Sequence, residues 1–156
     1  MKLELKWHLP QKLKDGSHYG LIYKIHNINK WDNVTGVYMF CRKYGKTVVP
    51  LYIGQAMNIG SRIRQHLNSV KLMKGIKDSL SGDKILIVGQ LIPKPGQDKK
   101  KSISIIEKAL IGHCLAEGIE LLNKQGTKIK FHKISVSGYL LARNITGKTI
   151  FAKYMK

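Results

Sequence analysis

Apolar and polar positions alternate over several stretches of the chain, and three times the alternation gives way to helical spacing. The segment GVYMFC, residues 36–41, places Val37, Met39 and Cys41 on one face and Tyr38 and Phe40 on the other, as a strand does. RKYGKT reads as a turn, and VVPLYIG, residues 48–54, returns as a second strand in which Pro50 removes one ladder bond. A β-hairpin is predicted, with Tyr38 and Tyr52 in different strands. Asn58 then suits the N-cap of a helix running to about Val70, since Ile59, Ile63, Leu67 and Val70 form one stripe. Residues 71–83 predict a second, weaker helix, and KILIVGQLI, residues 84–92, a buried strand. A basic loop, residues 92–101, leads to a helix over residues 102–118 whose Ile103, Ile106, Leu110, Ile111 and Cys114 spread over a broad apolar arc.

The flanks are less regular. YGLIYKI, residues 19–25, alternates well enough to predict a strand, and alternation resumes from Lys128. Residues 139–154 predict a hairpin turning at Thr146-Gly147. The chain therefore divides into an N-terminal extension (1–35) packed on a core (36–125), and a basic C-terminal strand and hairpin extension (126–156), in one compact domain. A length of 156 residues is enough to bury roughly two thirds of the unfolded surface in a single domain.

Two positions break the pattern in ways that invite chemistry. Glu107 projects from the middle of the apolar arc, where an unpaired carboxylate would cost several kcal/mol or stay protonated. It needs a cation, an arginine or a metal. Arg62 and His66, four residues apart, lie together along one edge of the first helix, while Arg64 points away.

Charge narrows the choice of partner. The 28 basic residues against 9 acidic ones leave +19, and nucleic acid is the commonest anionic partner for such a chain, ahead of an anionic membrane or a merely solvated lysine surface. Cys41 and Cys114 lack a Cys-x-x-Cys neighbour and read as buried reduced thiols, and no window approaches the ~18 apolar residues of a membrane span. A soluble, cytoplasmic protein with no membrane partner is expected.

In order and context, Gly36-Val37-Tyr38, Tyr52-Ile53-Gly54, Arg62, His66, Glu107 and Asn123 resemble the GIY-YIG nuclease family. The resemblance runs from about Gly36 to Asn123, a little over half the chain. It implies an α/β (α+β) fold with a small three-stranded antiparallel sheet flanked by helices, and a divalent-metal-dependent DNA endonuclease that hydrolyses phosphodiester bonds with one Mg²⁺ or Mn²⁺. On that pattern Glu107 is the metal ligand, and Arg62 stabilises charge on the phosphate. Tyr38, Tyr52 and His66 activate or position the attacking water, Asn123 orients groups around the metal, and Gly36 and Gly54 are structural. The first motif has valine for isoleucine, and Gln55 stands where many members carry lysine.

The chemistry asks for the same residue types independently. A phosphodiester is already anionic, so its hydrolysis needs a cation and a water deprotonated as it attacks. A phenol with a pKa near 10 is a poor base at neutral pH unless a metal-bound water and nearby positive charge lower the demand on it, which makes Tyr38 the preferred general base and His66 the alternative. Double-stranded DNA is the expected partner. Contacts to its phosphates are expected from Gln55, Arg64, Lys99, Lys100, Lys101, Lys128, Lys130 and Lys133. The alternative is a nucleic-acid-binding module of the same fold, for DNA or RNA, that does not cut.

Overall fold

The computed structural model describes residues 2–123, Tyr139, and the backbone of residues 130–135 and 149–154. The fold is mixed α/β. Its hairpin is formed by β5 (Gly36–Tyr44) and β6 (Thr47–Ala56), preceded by the short strands β1 (Leu5–Trp7), β2 (Gln11–Lys12), β3 (Lys14–Asp15) and β4 (Tyr23–Lys24). After the hairpin come α1 (Ile59–Leu67), α2 (Val70–Lys77), β7 (Asp83–Leu91), α3 (Lys99–Ala116), β8 (Lys130–Ser135) and β9 (Thr149–Tyr154).

The expected three-stranded antiparallel sheet is present as β7-β5-β6, and it is wider than expected. Both β1 and β2 pair antiparallel with β7, making five strands with β6 at one edge. The N-terminal segment also carries Leu13, Ile25 and Trp31 into the main hydrophobic cluster, beside Tyr38, Phe40, Ile59 and Ile63. Residues 19–25 are not the strand their alternation suggested. Only Tyr23 and Lys24 are extended, against β3, because the segment follows a tight turn closed by Gly20 at φ 72°.

Local chemistry explains the helices. The Asn58 side chain accepts from the Ser61 N–H at 3.1 Å and starts α1, whose Ile59 and Ile63 are wholly buried. Each such burial stabilises the fold by roughly 1.5–3 kcal/mol. The first helix stops at Leu67, since Ser69 caps a new helix by accepting from the Leu72 N–H at 3.3 Å. Val70 consequently opens α2 and is 69% exposed instead of completing the α1 stripe. Asp98 caps α3 through the Lys101 N–H at 3.0 Å, so Lys99, Lys100 and Lys101 form its first turn and not a loop.

The sheet has two covered faces. Tyr38 and Phe40 pack with α1 and α2, while Ile53 packs with Ile111 and Cys114 of α3. Cys41 and Cys114 are buried free thiols. β8 and β9 pair antiparallel from Lys130↔Tyr154 to Ser135↔Thr149, and the expected turn at Thr146-Gly147 lies outside the described residues. Among the described residues no helix is long and apolar enough to cross a membrane.

Candidate active site

The register of the hairpin sets the site. Tyr38 faces Gly54 directly across β5 and β6, and Phe40 faces Tyr52. The Tyr38 ring lies across Gly54, where any Cβ would land on its phenol carbon and hydroxyl. Gly36 serves a different contact, because a Cβ there would strike the Gly89 carbonyl of β7. One glycine thus lets two strands close, and the other makes room for a catalytic candidate.

His66 comes down from α1 onto this ring cluster. Its Nε2 is 2.6 Å from the Tyr38 hydroxyl, and its ring centroid is 5.2 Å from that of Tyr52. Tyr38 is 1% exposed and His66 7% exposed. Burial pushes the Tyr38 phenol above its ordinary value, with Tyr52 adding to the rise and Arg62 opposing it. Burial, helped by the Arg62 charge, pulls His66 down to about 4. Both groups are therefore neutral at neutral pH. The Arg62 guanidinium is close enough to the Tyr38 hydroxyl for its charge to favour the ionised phenol against burial.

Glu107 approaches from the other side of the β6 edge. It is half-buried, and desolvation raises its carboxyl, opposed by a hydrogen bond from Gln55 and by the charges of Lys108 and Arg62. Tyr52, its phenol likewise raised by burial, is within electrostatic reach of both Arg62 and Glu107. Arg62 itself is exposed, with Nη1 donating to Gln65 Oε1 at 3.0 Å.

These side chains line one cleft of ≈ 890 Å³. Tyr38, Tyr52, Gln55, Arg62, His66, Glu107, Asn123 and Gly54 all reach it, as does Lys100. Asn123 has a well-defined structural part. Its Oδ1 accepts from the Ile53 N–H at 3.0 Å and its Nδ2 donates to the Ile53 carbonyl at 2.6 Å, so it caps the exposed edge of β6 as a neighbouring strand would. The Leu122 N–H adds a bond to the Leu51 carbonyl at 2.7 Å.

Other expected contact residues stand elsewhere. Arg64 turns from the cleft and binds Asp32 at 2.6 Å and Asn29 Oδ1 at 2.7 Å, tying the turn at Ile28–Trp31 to α1. Gln55 directs its amide at Glu107. Lys99 and Lys101 are exposed on the first turn of α3, where positive charge opposes the helix dipole. Lys130 and Lys133 are described only as backbone in β8, and Lys128 lies outside the described residues. Sequence reasoning missed Lys71, Leu72 and Gly75 of α2, which also line the cleft. Their signal is faint: the apolar spacing over residues 71–83 is weak and does not tell the cleft side of α2 from its solvent side.

Among the described residues no three His, Cys, Asp or Glu side chains come together to hold a metal. The donor set at Glu107 is a single carboxylate with the Gln55 amide beside it. It fits a hard cation that keeps several waters and takes further oxygens from phosphate, as Mg²⁺ does. No family model, curated protein or solved structure matches the chain.

Proposed function

We propose that the protein is a DNA endonuclease that hydrolyses phosphodiester bonds in this cleft with the help of a divalent cation. The observation that carries the reading is the convergence of Arg62, the Tyr38–His66 pair, Tyr52 and Glu107 on one cleft, in a chain of net charge +19. Two buried free thiols suit work in a reducing cytosol.

Arg62, exposed at the cleft beside the tyrosines, binds the non-bridging oxygens of the scissile phosphate. The attacking water gives its proton to the Tyr38 oxygen as Tyr38 passes its own to His66 Nε2, so no free phenolate has to form. The water oxygen bonds to phosphorus, and the bond to the leaving oxygen breaks. With a pKa of about 4, His66 is about a thousandfold short of matching neutral pH. A bound phosphate corrects this in part, since its negative charge offsets the Arg62 charge that helps to hold His66 down. Glu107 would hold Mg²⁺ or Mn²⁺, which when bound supplies Lewis-acid stabilisation of the charge growing on the phosphate and leaving oxygens. Tyr52 supports the ring cluster and lines the cleft with Arg62 and Glu107.

Tyr38→Phe tests the relay, because it keeps the packed ring and removes only the hydroxyl. Single-turnover cleavage of a labelled oligonucleotide should slow by roughly 10²–10⁴-fold in Tyr38→Phe and in His66→Gln alike. Wild-type rates in Tyr38→Phe would rule out the proton path.

A further inference from the structure

The cleft extends beyond the groups that handle the phosphate. α2 contributes Leu72 and Gly75, α3 contributes Ile103 one turn before Glu107, and the segment after α3 contributes Leu122, so this part of the wall is apolar. Lys71 and Lys100, both exposed, flank it from α2 and α3. Among the described lining residues the fixed charges are Arg62, Lys71 and Lys100 against Glu107. Such a recess matches a guest with an apolar body joined to anionic groups.

Gly75 sharpens the point. A glycine within a helix is destabilising relative to alanine. Packing does not require one here, for a Cβ at Gly75 would make only ordinary contact with Leu122, 3.4 Å from Cδ1. What the missing side chain does is leave the recess wider. The whole cleft, ≈ 890 Å³, is of a size that takes small organic guests, roughly 300–1,000 Å³.

We propose that this recess takes the base of one unstacked nucleotide next to the phosphate held at Arg62, so that single-stranded or frayed DNA is bound in preference to uniform duplex. The inference rests on the nucleic-acid reading of the same cleft and changes its expected partner. A stacked duplex is convex and keeps its bases inside, whereas Tyr38 and His66 are recessed at 1% and 7% exposure. A strand with a base turned out delivers its phosphate deeper and covers Leu72, Ile103 and Leu122 as it does so.

The test is fluorescence-anisotropy binding in the Glu107→Gln background without divalent metal, comparing a labelled single strand with the same sequence as a perfect duplex. The single strand should bind about tenfold more tightly or better, the order expected for one base packed in a site. Gly75→Leu, which fills the recess, should bring that preference close to one. Gly75→Ala should reduce the preference in part while melting no lower than its parent, which separates a filled recess from a damaged fold. Equal affinity for strand and duplex, or an unchanged preference in Gly75→Leu, overturns the inference and leaves the endonuclease reading in place. Failure of the wild-type protein to cut with Mg²⁺ would remove the endonuclease reading and leave the binding result standing.

Discussion

Tyr38 and His66 are 28 residues apart in sequence, and their hydroxyl and Nε2 meet at 2.6 Å in the interior. The contact depends on two placements. The hairpin register lays Tyr38 over Gly54, and α1 turns the His66 side of its buried stripe toward the sheet. A buried hydroxyl–imidazole contact results that neither residue could form alone on a solvated surface.

Gly54→Ala should break that arrangement. Its new Cβ would occupy the space of the Tyr38 phenol, forcing the ring off its rotamer at a cost of about 1–3 kcal/mol. A lowered urea midpoint together with loss of cutting is expected, whereas unchanged stability would mean that the ring does not lie where the structure puts it.

His66 gives stability a pH window. Its folded pKa, about 4, lies below the ordinary 6.5, so the unfolded chain binds the proton more readily between those values. This contribution is complete above 6.5 and is lost as pH falls through the window toward 4. It amounts to something on the order of 2 kcal/mol once solvent at the cleft is allowed for. Urea titrations from pH 7 to 4 should show the wild type weakening through this range and His66→Gln weakening less; parallel curves would contradict the assignment.

Glu107 has the opposite sign. Burial raises its carboxyl, so the ionised form is a burden on the fold at neutral pH. Glu107→Gln should raise stability at pH 7 by up to about 1 kcal/mol and abolish metal-dependent cutting. A thermal melt that moves downward would show that the carboxylate is better compensated than Gln55, Lys108 and Arg62 can explain.

Asn123 should act through the β6 edge. Asn123→Ala removes both bonds to Ile53 and leaves buried backbone groups unsatisfied, for a loss of about 1–3 kcal/mol. Asn123→Asp can still accept from the Ile53 N–H but cannot donate to its carbonyl, so chemical denaturation should place it between wild type and Asn123→Ala. Full stability in Asn123→Ala would deny it this role.

Much of the site was legible because its spacing is local. The strand alternation at Gly36–Cys41, the Asn58 cap and the four-residue step from Arg62 to His66 each follow from short-range geometry. What was not legible depends on distant partners or weak periods. Strands as short as Leu5–Trp7 and Gln11–Lys12 have too few residues to show alternation, and their partner β7 lies more than 70 residues away. Val70 matched the helical stripe of α1, and only the Ser69 cap reveals that a new helix begins there. The lysines of α3 looked like loop because their charge opposes the helix dipole, which the Asp98 cap offsets. The Asn123 pairing with Ile53 spans 70 residues and leaves no mark on local sequence.

Plasmid cleavage tests the central claim most directly. Supercoiled DNA is incubated with wild-type protein and Mg²⁺ or Mn²⁺, alongside Glu107→Ala, Arg62→Ala and a chelator control. The wild type should convert the plasmid to nicked or linear forms only when metal is present, and both variants should lose at least about a hundredfold in rate. Equal cutting by wild type and Glu107→Ala, or no cutting by wild type with either metal, would contradict the assignment of this cleft to phosphodiester hydrolysis.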